Sequence, residues 1–369
     1  MAKVMSSEVG YKKVKIYLYQ IRLIWIIIFV AASGLLGSCG SANANSQLSS
    51  STSIDSQALV ANYAYSTQPG STITAVNLAN GKVSKTITTA SLPSAIALST
   101  NGHRILVANK GNDTLSVLSS TSDRVLATIP VGLEPDAISI DQGTSSVNET
   151  ALVANFGDNS VTPVNLDTYK VGPAIPVGSE PVAIATAMIT PNKLIALVAN
   201  YASNNVTPID LSTMTAMAPI ATGVGPSSIA IGSSGTSAAN LAIVANFTSN
   251  SLTPINLTIL TATNSLPLAF NPTDITAITN QNNFLITGGS SLASLSVSGF
   301  TTSNPSASGL RLGSIVTLPY VAEAVATTPN AKSAWVALQD GTVVPVTLSD
   351  GTLGKPISVG GRPSAIVIH

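Results

Sequence analysis

The chain has 369 residues, 45% hydrophobic and only 9% charged, with 16 basic and 16 acidic side chains that cancel. Ordinary domains carry about 25% charged residues, so polarity here rests on Ser, Thr, Asn and Gly. The balance excludes a basic field for nucleic acid. A single Cys excludes an internal disulfide framework and cysteine-built zinc or iron–sulfur centres, and two His leave little for metal or acid–base chemistry.

Lys3, Lys12, Lys13, Lys15 and Arg22 precede the apolar run 23–32, and small residues follow as far as Cys39. This is the three-part form of a secretory signal. The run falls short of the roughly 20 residues a spanning helix needs, so a cleaved signal over 1–38 is expected rather than a permanent anchor. Leu36-Gly37-Ser38-Cys39 resembles the lipobox of bacterial lipoproteins. That resemblance implies cleavage before Cys39, lipidation of its thiol and a lipid-anchored extracytoplasmic location. Several acyl chains, each contributing about 0.8 kcal/mol per buried methylene, make a stable anchor.

Removing residues 1–38 leaves 11 basic against 15 acidic side chains, which disfavours polyanionic partners. Residues 39–57 are almost all Ser, Ala, Asn, Thr and Gln, too polar to bury a core, and read as a flexible tether. At about 5–6 Å times the square root of its length, such a coil spans roughly 20–25 Å.

Self-comparison decides the expected fold. Ala58-Leu-Val-Ala-Asn62 recurs at Ile105–Asn109, Ala151–Asn155, Ala196–Asn200 and Ala242–Asn246, with degenerate copies at Phe284–Gly288 and Ala334–Leu338. Each unit carries four runs of four to seven residues rich in Val, Ile and Thr, punctuated by Gly, Pro, Asn and Asp. Seven such units over 58–369 predict an all-β, seven-bladed β-propeller with four-stranded blades. The first unit lacks a strand before Ala58, and the last ends in Arg362-Pro-Ser-Ala-Ile-Val-Ile368. The C-terminal strand is therefore expected to join the first blade and close the ring without an open edge. Innermost strands should start at Pro93, Pro135, Pro181, Pro226, Pro272, Ala322 and Pro363.

The Val-Ala-Asn strand, the Val-Thr-Pro-Val-Asn strand and the Pro-Val-Gly-x-x-Pro-x-x-Ile-Ala turn together resemble the YVTN-type β-propeller repeats of secreted surface proteins. The sixth unit departs most from the pattern. That family is functionally mixed, so the resemblance implies a fold and no activity. Pro163, Pro208, Pro254 and Pro345 recur in the third strand, where Ala75, Val117 and Val297 stand in the other units. Proline lacks a ladder donor, so the outermost strand should be short or bulged there, or the strand boundaries shift.

Alternating strand direction places the turn entering each innermost strand and the loop after each Asn on one rim. Glu134, Asp136 and Glu180 fall there, with Glu323 in the equivalent position of a later blade and Arg362 as a counter-charge. Three carboxylates with carbonyls could hold a cation or polar ligand, or simply be solvated turn residues. Tyr63, Phe156, Tyr201 and Phe247 follow the repeated Asn, and Lys110 replaces them once. They either form an exposed patch or wedge between blades. The Asn itself should bond backbone at the strand end.

There is no Gly-x-Ser-x-Gly elbow, no His-containing metal spacing and no catalytic Cys. Trp335 is the only tryptophan after residue 38, unlike quinone-dependent dehydrogenase propellers, which carry repeated tryptophan motifs. The expectation is a monomeric, non-catalytic binding module, without cofactor or metal, that meets a protein or glycan in the cell envelope. The alternative is a lactonase-like hydrolase or redox-accessory propeller with Glu134 or Glu180 as general base.

Overall fold

A computed structural model describes the backbone of residues 57–63 and, in full, residues 71–141, 149–190, 193–232, 241–278, 283–298 and 309–368. The expected signal, Cys39, the expected tether up to residue 56 and the side chain of Tyr63 lie outside the described residues. The chain folds as an all-β propeller of four-stranded antiparallel blades.

Six sheets come from contiguous sequence. Their innermost strands are Pro93–Leu98, Pro135–Asp141, Pro181–Thr190, Pro226–Gly232, Asp274–Ala277 and Ala322–Thr327. A further sheet joins the two ends of the chain. Its order, from the axis outward, is Arg362–Ile368, Gln57–Tyr63, Thr72–Asn77 and Lys82–Thr88. The innermost strands pack side by side in chain order, and Arg362–Ile368 lies between Ala322–Thr327 and Pro93–Leu98. The fifth of these innermost strands begins at Asp274, two residues beyond the expected Pro272.

The repeated apolar strand owes its unbroken hydrophobicity to its place. In Arg104–Asn109, Thr150–Asn155 and Lys193–Asn200 every residue of the Leu-Val-Ala core is buried, because both faces of the sheet are covered by neighbouring blades. Its Asn closes the core. Asn155 Nδ2 donates to Ser160 Oγ at 3.0 Å and Thr162 Oγ1 at 2.8 Å. Asn200 and Asn246 make the equivalent bonds to Thr207 and Thr253, both at the Oγ1 atom. The partners are thus mainly side chains of the third strand, and the expected backbone bonds accompany them at Asn109, to the Val107 and Thr114 carbonyls, and at Asn246, to the Ser251 carbonyl.

The third-strand prolines coincide with breaks in the outer strand. Opposite Pro208 the outer strand is split into Thr215–Ala216 and Ile220–Ala221, and opposite Pro254 into Thr261–Ala262 and Leu266–Pro267. Blades with Pro163 and Pro345 keep two-residue outer strands plus single bridges. Each proline carbonyl still accepts an N–H from the irregular segment beside it, Gly172, Met217, Thr263 and Gly354, at 2.8 Å in all four blades. Without proline the outer strands are continuous: Lys82–Thr88, Val125–Pro130 and Leu310–Thr317. Register corrects one assignment, since the residue equivalent to proline in the sixth unit is Ser294, opposite Leu285, and not Val297. A two-residue turn at Gly289-Ser290 replaces the longer loop of the other blades and moves the strand forward.

Candidate functional site: the loop rim

At one end of the ring, the turn entering each innermost strand meets the loop after the repeated Asn. Lys110, Phe156, Tyr201, Phe247 and Gln339 donate their backbone N–H to the carbonyls of Leu92, Glu134, Glu180, Gly225 and Val321. The two loop sets therefore share a face, as the strand directions require. His103 lies at the opposite end.

The entry turn needs a left-handed residue. Leu92, Glu134 and Glu180 adopt φ of 50°, 50° and 55°, at a cost of about 1–2 kcal/mol each. Side chains of the preceding blade hold the turn in place. Asp113 Oδ1 accepts the Glu134 N–H at 2.8 Å, Asn159 Oδ1 that of Glu180 at 2.8 Å, and Asn204 Oδ1 that of Gly225 at 2.9 Å. Within the blade, Asp158 Oδ2 accepts from Leu133 N–H at 2.7 Å.

One residue further, most innermost strands carry a bulge. Pairing skips the second residue between Pro93 and Ala95, Pro135 and Ala137, Pro181 and Ala183, Pro226 and Ser228, and Ala322 and Ala324. A bulge re-aims its side chain, here toward the seam with the next blade. Ser94 Oγ donates to the Pro135 carbonyl at 2.6 Å, Ser227 to Pro272 at 3.0 Å, Thr273 to Ala322 at 3.3 Å and Ser364 to Pro93 at 3.4 Å. Asp136 and Glu323 occupy the same position with charge.

Asp136 is fully buried. Lys110 Nζ, from the preceding blade, reaches Asp136 Oδ1 at 2.8 Å and Glu134 Oε2 at 3.7 Å, and stands 4.3 Å from the centre of the Phe156 ring. Burial pushes the Asp136 carboxyl up to about 6, with Lys110 pulling it back and Glu134 adding to the rise. Lys110 is the counter-charge that the sequence reading missed, having entered it only as a substitute aromatic. Glu180 is half-buried on its own turn, which Asn159 holds. Among the described residues no group of three or more His, Cys, Asp or Glu is placed to hold a metal, so Glu134, Asp136 and Glu180 form no such cluster.

Arg362 is not a counter-charge to that trio. Its guanidinium is held by Glu323 of the adjacent blade, through Nε at 2.8 Å and also through Nη2. Burial raises the Glu323 carboxyl, and Arg362 and Gln339 oppose the rise. Phe156, Tyr201 and Phe247 are half-buried. Tyr201 leans on the next blade, its hydroxyl 3.3 Å from Thr248 Oγ1, and Phe156 stacks under Lys110 of the preceding blade. Wedging between blades thus describes Phe156 and Tyr201 better than a free patch.

A buried acid also escaped the sequence reading. Asp274 accepts from Ser228 Oγ at 3.2 Å on one neighbouring innermost strand and from Val325 N–H at 2.9 Å on the other. Burial pushes its carboxyl up to about 8.

No family model matches the chain, and no curated protein matches it. Solved structures do. A functionally unknown protein from Desulfotomaculum acetoxidans superposes with a TM-score of 0.69 at 15% identity, over 85% of this chain and 98% of that one. A "putative 6-phosphogluconolactonase" from Bacteroides uniformis gives 0.66 at 17% identity, over 85% and 100%. The WD40 repeats of RRP9 give 0.61 at 11%, over 72% and 81%. At these identities the likeness is one of propeller fold alone.

Proposed function

We propose that the chain is a non-catalytic binding module: a seven-bladed propeller of the YVTN-repeat kind that meets a protein or glycan through its loop rim. The composite sheet made from both chain ends counts as the seventh blade. The observation that carries the reading is the construction of the rim. Its turns at Glu134, Glu180 and Gly225 are tied by side chains of the preceding blade, that at Leu133 also from within its own blade, and the rim presents apolar side chains to solvent at Leu133, Val224 and Tyr320. A rigid surface with exposed apolar anchors is suited to recognition.

The proposal includes a tether through lipidated Cys39 outside the cytoplasmic membrane, with a monomer as the working form. Metabolic labelling with a fatty-acid analogue tests it: label on the parent chain and none on Cys39→Ser is expected. Equal labelling of both would remove the anchor. Among the described residues no helix is long and apolar enough to cross a membrane.

The second reading is a lactonase-like hydrolase, favoured by the likeness to the Bacteroides uniformis protein. Against it, Lys110 engages Glu134, one of the two candidate bases, and holds Asp136 beside it, so Glu134 is not an unencumbered base. Cross-linking on intact cells, with Tyr201→Ser and Phe247→Ser beside the parent chain, separates the two. Partner capture that these substitutions weaken supports recognition. Turnover of a lactone or ester panel that vanishes on Glu134→Gln and Glu180→Gln, without capture, supports hydrolysis instead.

A further inference from the structure

Charge is divided unequally between the two ends of the ring. Asp113, Glu134, Asp158, Glu180 and Asp340 stand on the rim loops, with Asp136 and Glu323 just beneath them. The bases of that end, Lys110 and Arg362, are both engaged by those acids. At the other end the loops and strand ends carry Lys82, Arg104, Arg124, Lys170, Lys193 and Lys332, which offset the acids there. A chain with near-zero total charge therefore has one distinctly acidic face.

Apolar side chains share that face. Leu133, Val224 and Tyr320 are 52%, 49% and 53% exposed, and all three sit two residues before the first residue of an innermost strand. Half-buried Tyr201 and Phe247 flank the Val224 turn, where Gly225 accepts the Phe247 N–H. A third, independent feature lies below. Asp136 is fully buried on the bulge under the Glu134 turn, and while its Oδ1 takes Lys110, its Oδ2 has no hydrogen-bond partner. An unpaired buried carboxylate oxygen calls for an N–H donor.

We propose that the rim face docks a basic polypeptide, whose Lys or Arg side chains meet the rim acids and whose apolar side chains seat on Leu133, Val224 and Tyr320. The inference rests on the rim being the working face and adds the chemistry of the partner. Complementary potentials steer such encounters, and the same field repels nucleic acid, acidic peptides and anionic lipid surfaces. A guanidinium or ammonium entering beside Lys110 would also supply the donor that Asp136 Oδ2 lacks.

The test uses the full chain and three probes: a fluorescent peptide alternating Lys and Leu, its Glu/Leu counterpart, and a neutral N-acetylglucosamine oligomer. The Lys/Leu peptide is expected to bind, and to lose at least tenfold in affinity between about 50 and 500 mM salt, because screening shortens the range of the field. Glu134→Gln with Glu180→Gln, and separately Val224→Ser with Tyr320→Ser, should each weaken it at least fivefold. Asp210→Asn with Asp350→Asn, at the opposite end, should leave it unchanged. Thermal melting of each variant separates lost binding from lost folding. Equal binding of the Glu/Leu peptide, or equal weakening by the opposite-end pair, overturns the proposal. Binding of the glycan alone, weakened by the rim substitutions, overturns the basic-polypeptide assignment and leaves the rim reading standing. A partner captured on cells with no dependence on any rim residue sinks both.

Discussion

The Arg362 guanidinium donates from Nε to the Glu323 carboxylate at 2.8 Å, across the seam where the C-terminal strand meets the last contiguous blade. Arg362 is the first residue of its innermost strand and Glu323 the second of its own, and Glu323 is 1% exposed. Breaking a buried pair leaves a charge without a partner, which costs about 3 kcal/mol or more. Arg362→Met should lower the unfolding free energy by about that amount, whereas Arg362→Met with Glu323→Gln should recover most of it. Denaturant melts of the two variants check this.

Stability should fall as the medium becomes alkaline. Asp274 ordinarily titrates near 3.8, and burial between two neighbouring strands pushes it up to about 8. The folded chain therefore holds this proton more tightly than the unfolded one. The contribution is complete below about pH 4 and is lost as pH rises through 8. Asp136 adds a smaller loss between about pH 4 and 6. Denaturant midpoints should drop from pH 5 to pH 9, and Asp274→Asn should flatten the part of the curve between pH 6 and 9.

Position in the third strand decides whether proline is harmless. The Pro208 carbonyl accepts the Met217 N–H at 2.8 Å, so the missing amide would point the same way, into the break of the outer strand. Val117 occupies the equivalent position but faces the continuous strand Val125–Pro130, paired with Ala127. Val117→Pro should cost about 3 kcal/mol or more, since it removes a ladder donor that has a partner. Pro208→Ala should cost about 1 kcal/mol or less. Thermal melts distinguish the two.

The Gly225 turn has no room for a side chain. Gly225 has φ +67°, and a Cβ there would fall against Thr248 Oγ1 and within 3.1 Å of Tyr201 Cε2. Gly289 has φ +53° and open space around it. Gly289→Ala should cost only the left-handed penalty of about 1 kcal/mol. Gly225→Ala should cost about 2–3 kcal/mol, because the Tyr201 wedge must also move. Chemical denaturation of both variants gives the comparison.

Repetition made much of this legible in the sequence. Five Val-Ala-Asn strings and a Pro-led strand at every step but the one at Ala322 gave blade order, the shared rim and the pairing of the two ends, because each depends on backbone periodicity. The proline breaks were legible for the same reason, as only the outer ladder could lack a donor. The ion pairs were not. Lys110 meets Asp136 and Arg362 meets Glu323 only because a bulge turns the second residue of the strand into the seam, and nothing in the spacing of these residues announces a bulge. Asp274 stands where Ala95, Ala137 and Ala183 stand in other blades, and its partners come from two different strands. Val297 was assigned the place that Ser294 occupies because a two-residue turn shortened one unit.

The most direct measurement is a disulfide between the two ends of the chain. Ala61 and Ala365 are register partners in the composite sheet, and directly opposed antiparallel residues lie about 4.5–5.5 Å apart at Cα, within disulfide reach. In a Cys39→Ser background, Ala61→Cys with Ala365→Cys should oxidise fully in the folded monomer, shift its mobility on a non-reducing denaturing gel and raise its melting temperature. Free thiols after oxidation of the folded chain, with no mobility shift, would contradict the closed ring and with it the common rim.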